Sequence, residues 1–187
     1  MVKSLCKVNL NEIFFICFLM ATSSKCTKGE KEEDYGLHVW PCAEMLSSYI
    51  VSNVERFRGK TILELGAGSG LVSIVTAKCD AKFVILTDHS KNDRVKKIAL
   101  QNCKINGVSE HTQYRTLIWG VADDNLFSLP SFDILLISDC FYDPTLFEDV
   151  VFTISVLLER NSDACAYFSY QNRKKLKLDD RTSLKAI

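Results

Sequence analysis

Seven consecutive positions, Glu64-Leu65-Gly66-Ala67-Gly68-Ser69-Gly70, carry the first chemistry legible in the chain. Glycines at alternate positions leave no Cβ in the way, so the main chain of such a turn can come close to a flat, polar ligand. Twenty positions beyond Gly68 stands Asp88, the separation at which a carboxylate on an adjacent parallel strand reaches ribose hydroxyls. Together they point to a nucleoside-containing cofactor. A second set, Ser138-Asp139-Cys140-Phe141-Tyr142-Asp143, joins carboxylates to aromatic rings in a short stretch. Two tryptophans complete the inventory. Trp119 is suited to stacking on an adenine ring, and Trp40 to bordering a bound nucleoside, but either also reads as a core aromatic.

The glycine spacing narrows the ligand. A dinucleotide fingerprint, G-x-G-x-x-G, needs its third glycine where this chain has Leu71; here that glycine comes one place early, at Gly70. The dinucleotide reading therefore fits poorly. Lys+Arg and Asp+Glu balance at 23 each, so no global field favours a nucleic acid or a membrane surface. The eight cysteines include no C-x-x-C pair, which argues against a zinc site, and no metal is expected. Several fall in apolar periodic stretches, as buried free thiols do in a reducing compartment.

These residues need a scaffold of strands and crossovers. With 47% apolar residues, the 187-residue chain has enough for one substantial core. Pro41 suits the first turn of a helix, and Cys42, Met45, Leu46, Tyr49, Ile50 and Val54 follow at helical spacing. Strands are expected at 60–66, 82–88, 114–119, 132–138 and 164–170, with helices at 69–79 and 93–106 between the first three. The run from Phe132 to Ser138 is almost continuously apolar, as a central parallel strand covered on both faces requires. It delivers Asp139 and Tyr142 to the carboxyl edge, where open α/β sheets bind ligands. Pro144 opens another helix, whose stripe of Leu146, Phe147, Val150, Val151, Ile154, Leu157 and Leu158 is expected to be core. The alternation implies an α/β, doubly wound parallel sheet.

The assembled motifs are Val39-Trp40-Pro41-Cys42-Ala43, E-x-G-x-G-x-G from Glu64, Leu86-Thr87-Asp88, Trp119-Gly120, Ser138-Asp139-x-Phe141-Tyr142 and Ser169-Tyr170-Gln171. Over residues 35–173 the chain resembles the class I, seven-strand S-adenosylmethionine (SAM) methyltransferases, and within them methyltransferase family 16. The resemblance implies a Rossmann-like sheet and SAM as cofactor. It implies that Trp40 lines the cofactor cleft and that Glu64 precedes a cradle of Gly66, Ala67 and Gly68 around the methionyl end. Asp88 would hold the ribose hydroxyls, Trp119 would meet the adenine, and the Ser138 backbone would complete the pocket. Asp139 and Tyr142 match the family's D-x-x-[YF] motif, which faces the methyl acceptor and marks them as the catalytic pair.

The implied activity is methyl transfer to a side-chain nitrogen of a protein, either arginine (of a histone, for instance) or lysine; a chaperone-type substrate also fits the family. For a guanidinium, Asp139 helped by Asp143 is the expected carboxylate pair. The alternative is a non-catalytic binding or regulatory protein that keeps the cofactor fold. It is favoured by the residues after Tyr170, which turn basic and show no pattern for the sixth and seventh strands of the class; a sheet without that hairpin is the expectation. Residues 1–33 are read as an extension, unstructured or weakly signal-like, since the apolar run 13–21 is too short to span a bilayer. The domain is expected over 34–173 and a basic, polar tail over 174–187. No membrane or direct nucleic-acid partner is expected, and the location implied is cytoplasmic or nuclear.

Overall fold

The computed structural model describes residues 32–89 and 93–171. The expectations for the extension before residue 32 and for the tail after residue 171 lie outside the described residues. Five strands form one parallel sheet: β1 (Thr61–Leu65), β2 (Phe83–Asp88), β3 (Thr112–Thr116), β4 (Ile134–Ser138) and β5 (Cys165–Ser169). Their spatial order is β3-β2-β1-β4-β5. The chain steps outward from β1 to β3, then returns to set β4 against the other side of β1. That reversal opens a crevice beyond the carboxyl ends of β1 and β4, where ligands of doubly wound sheets bind.

The strand period of two divides the core into layers. Ile62, Val84, Leu86, Ile134 and Leu136 face one layer, packed under helices α1 (Pro41–Ser52), α3 (Leu71–Lys78) and α4 (Asp93–Ile105), with the short α2 (Val54–Phe57) beside them. Leu63, Leu65, Ile85, Leu135 and Ile137 face the other, under α5 (Asp124–Phe127) and α6 (Phe147–Glu159). Four successive residues of β4, Ile134 to Ile137, are buried, as its continuous apolar run predicts.

Three expectations shift. Strand three begins earlier and ends at Thr116, because its pairing with β2 runs from Val84↔Thr112 to Asp88↔Thr116. Trp119 therefore sits in the loop beyond the strand. The first helix breaks at Asn53, whose backbone leaves the helical region, so Val54 belongs to α2 and Ser47 rather than Met45 is fully buried on the inner face. The stripe on α6 is wider than the face the sheet can cover. Val150 and Leu157 are buried, but Phe147 and Val151 remain 39% and 52% exposed.

Candidate active site

The glycine turn is bolted to the ends of two strands. Ala67 N donates to the Thr87 carbonyl at 2.9 Å and Gly70 N to the Ala67 carbonyl at 2.8 Å. The Thr87 hydroxyl donates to the Glu64 carbonyl at 2.7 Å. Gly66 lies at φ +70°, and a Cβ there would stand 2.9 Å from Cys140 Sγ and 3.0 Å from Cζ2 of Trp119. Gly68 lies at φ +51°, with the Gly36 carbonyl 3.0 Å from where a Cβ would be. Both positions thus combine a left-handed backbone with close neighbours, and glycine alone suits them.

Two carboxylates serve this turn in different ways. Asp88, at the end of β2, accepts from Gly68 N at 2.6 Å and from His89 N at 2.7 Å. Burial pushes its carboxyl up, while those two N–H donors act in the opposite sense. Glu64 is 1% exposed and points under the turn. One of its oxygens accepts from Ser73 N at 2.9 Å and also from the Ser73 hydroxyl. Ser73 N is one of the orphan donors of the first turn of α3, so Glu64 ties β1 to that helix. Burial raises the Glu64 carboxyl to about 8, with the Ser73 hydrogen bonds opposing and the Asp88 charge adding to the rise.

Across the crevice, Asp139 follows β4 at φ +55°, one of two described non-glycine residues in the left-handed region. Aspartate tolerates that region better than most residues, and such backbone often marks a working site. Its N–H donates to the Ser169 carbonyl at 2.9 Å, and the Ser169 hydroxyl in turn donates to the Cys42 carbonyl of α1 at 2.9 Å. The S-Y-Q motif thereby links the Asp139 turn to the helix that follows Trp40. Cys140 is buried, its thiol donating to the Leu65 carbonyl at 3.1 Å; burial and three neighbouring carboxylates push that thiol well above its usual range, which disfavours the thiolate.

Four aromatic rings run in series along the opening. Trp40 meets Tyr35 edge-on at 6.2 Å, Tyr35 meets Tyr142 edge-on at 6.1 Å, and Tyr142 meets Trp119 at 6.4 Å. The Trp40 indole N–H donates to the Tyr35 carbonyl at 3.1 Å. All the residues expected at the site, Trp40, Glu64, Gly66, Ala67, Gly68, Asp88, Trp119, Ser138, Asp139 and Tyr142, line one cleft of about 500 Å³. Asp143 does not join them: its Oδ1 accepts from the N–H and hydroxyl of Thr145, capping a short 3-10 turn at Pro144–Leu146. The carboxylate that does reach the cleft from that region is Asp149.

Tyr35, His38 and Asp149 are cleft residues that sequence reasoning missed. Asp149 sits in the first turn of α6, where an acid is equally explained by the helix dipole. Tyr35 belongs to a 3-10 helix at Glu32–Leu37 that folds back over the glycine turn, and its only local signal was proximity to Trp40.

The residues fit a ligand with a nucleoside and an amino-acid end. The cradle at Gly66 and Gly68 excludes side chains, Asp88 stands at its rim, and rings flank it. Among the described residues no cluster of metal-ligating side chains occurs, and no helix is long and apolar enough to cross a membrane.

A profile of a family described as lysine methyltransferase matches residues 24–185. The histone-arginine methyltransferase METTL23 of Xenopus laevis is 39% identical over 139 residues, covering 74% of this chain and 58% of that protein. Its Homo sapiens counterpart is 39% identical over 137 residues, covering 73% of this chain and 71% of that protein. The protein N-terminal and lysine N-methyltransferase efm7 of Schizosaccharomyces pombe is 31% identical over 150 residues, covering 73% and 56%. A solved structure in complex with SAH shares the fold, with a TM-score of 0.55 at 17% identity, covering 71% of this chain and 36% of that one. The chain thus spans somewhat over half the length of the first of these relatives.

Proposed function

The chain belongs to the lysine methyltransferase family whose profile it matches, and from that membership and the cleft we propose that it is a SAM-dependent protein methyltransferase acting on a side-chain nitrogen. Arginine is the first candidate acceptor, with histones the first candidate substrate, because two relatives 39% identical to the chain carry the name histone-arginine methyltransferase. Lysine is the second, as in the name of the fission-yeast relative. The observation that carries the reading is one cleft shared by the Gly68–Asp88 seat and the Asp139–Tyr142 pair.

When bound, SAM supplies a methyl carbon activated by its sulfonium. The chain's own residues then have two tasks, positioning and proton management. Gly66, Ala67 and Gly68 would present main chain to the amino-acid end, and Asp88, which accepts from Gly68 N, would hold the ribose hydroxyls. Trp119, which lines the same cleft, would border the adenine. Asp139, 6% exposed and held by the Ser169 carbonyl, accepts an N–H of the acceptor nitrogen, orients its lone pair and receives its proton. Tyr142 and its neighbouring rings exclude water, which strengthens the contact with Asp139.

Calorimetric titration with S-adenosylhomocysteine and label transfer to purified core histones test the proposal together. In the Asp139→Ala variant, S-adenosylhomocysteine affinity should stay within about threefold while transfer falls by about 100-fold or more. Unchanged turnover would remove Asp139 from the mechanism. A cytoplasmic or nuclear location belongs to the same proposal, a histone substrate favouring the nucleus, and imaging of the tagged chain checks it.

A further inference from the structure

The geometry points to Tyr35 as an acceptor-contacting, specificity-determining residue that, with Tyr142, receives a planar guanidinium in preference to an ammonium. The inference rests on the methyltransferase reading and extends it to a residue nothing in the motifs marks.

Tyr35 is held from three sides. Its carbonyl accepts the Trp40 indole N–H at 3.1 Å. The following carbonyl, that of Gly36, lies against Gly68, and Gly36 itself rests on Val95 of α4, whose Cγ2 is 3.0 Å from where a Cβ would be. Its ring lies at the cleft, edge-on to Trp40 at 6.2 Å and to Tyr142 at 6.1 Å with an interplanar angle of 83° in each case. Two perpendicular rings make a corner that offers a π face on one wall and a ring edge on the other. Asp139 and Asp149 line the same cleft. Tyr142 is three positions from Asp139, so the corner stands on the acceptor side, while Trp40 and Gly68 stand on the cofactor side. Tyr35 touches both sets.

The chemistry of the corner separates the two acceptors. A guanidinium is flat, remains charged and stacks on aromatic faces while its N–H edges bind carboxylates. Carboxylates at two of its edges draw the positive charge there and leave the remaining nitrogen to be alkylated. The C–N bond forms as the C–S bond breaks, its electron pair stays on sulfur, and the nitrogen's proton passes to Asp139 and on to solvent. A lysine amine must first lose its proton, and π faces with carboxylates stabilise the protonated form, which has no lone pair to react.

The test uses the full chain saturated with S-adenosylhomocysteine and two blocked tripeptide amides, Gly-Arg-Gly and Gly-Lys-Gly, titrated by saturation-transfer NMR. The arginine peptide should bind about tenfold more tightly than the lysine peptide, a difference of the size that aromatic and bidentate contacts supply. Tyr35→Phe keeps the ring and should stay within about threefold of wild type, whereas Tyr35→Leu keeps the bulk without the π face and should lose about tenfold. S-adenosylhomocysteine affinity should be unchanged in both variants. Equal binding of the two peptides, or full arginine-peptide binding by Tyr35→Leu, overturns the inference. So does a parallel loss of S-adenosylhomocysteine affinity in Tyr35→Leu, which would make Tyr35 a cofactor clamp. Wild-type protein that binds S-adenosylhomocysteine but neither peptide overturns it while leaving the methyltransferase reading intact. Failure to bind S-adenosylhomocysteine overturns that reading itself, and the inference with it.

Discussion

Asp88 and Gly66 show how much of the cleft depends on single groups. Asp88 is the partner of Gly68 N as well as the proposed ribose acceptor, so its loss frees a backbone donor and, on that proposal, removes a ligand contact at once. Asp88→Ala should weaken S-adenosylhomocysteine binding by about tenfold or more, read by calorimetry. A dissociation constant within twofold of wild type would exclude Asp88 from the seat. Gly66→Ala meets both a φ of +70° and a wall formed by Cys140 and Trp119. It should cost about 1–3 kcal/mol in denaturant unfolding and weaken binding as Trp119 is displaced. The glycine spacing and Asp88 were visible in the sequence because their roles are local or lie at a register that parallel strands repeat. Asp149 was not, because nothing local separates a cleft carboxylate from a helix-dipole one.

At the scale of elements, the junction of β1 with α3 carries a titrating bolt. Glu64 has an ordinary value of 4.5 and is raised to about 8 in the folded chain, with burial the leading cause. Between those values the native state holds a proton that the unfolded state has released, so raising the pH destabilises the fold across that window. The contribution is level below 4.5 and again above 8, and its full span is on the order of a few kcal/mol. The raised Asp88 carboxyl acts with the same sign. Glu64→Gln keeps an acceptor for Ser73 N and removes the titration. Urea unfolding from pH 4.5 to 8 should therefore show a falling midpoint in wild type and a flatter one in the variant; identical slopes would refute the assignment. The element boundaries shifted where tertiary pairing outweighed local pattern: β3 stops where β2 stops supplying partners, and α6 exposes Phe147 and Val151 because the sheet covers only part of its stripe.

For the whole molecule, two apolar layers hold the sheet while the cleft crosses from one half of it to the other. The proposed cofactor seat belongs to β1 and β2, the proposed acceptor pair to the end of β4, and Tyr35 to the chain before α1. A ligand that bridges these parts binds the folded state alone. S-adenosylhomocysteine at about 100 times its dissociation constant should add about 2.7 kcal/mol of stability, which raises Tm by about 5–10 °C for a domain of this size. Absence of a shift in a thermal melt would contradict a seat assembled across the sheet.

The sequence by itself determined the parallel α/β architecture, the glycine cradle, its acidic partner and the Asp139–Tyr142 pair. Each of these is written in a short run whose period or spacing follows from backbone geometry. The tertiary structure alone decided what those residues do to one another. It turned Glu64 into a buried tie for a helix, since whether a carboxylate finds a helix N-terminus depends on how β1 and α3 cross. It withdrew Asp143 into a turn and brought in Asp149 from the next helix. It also set Tyr35 against Tyr142, because contacts between residues more than a hundred positions apart arise only from packing.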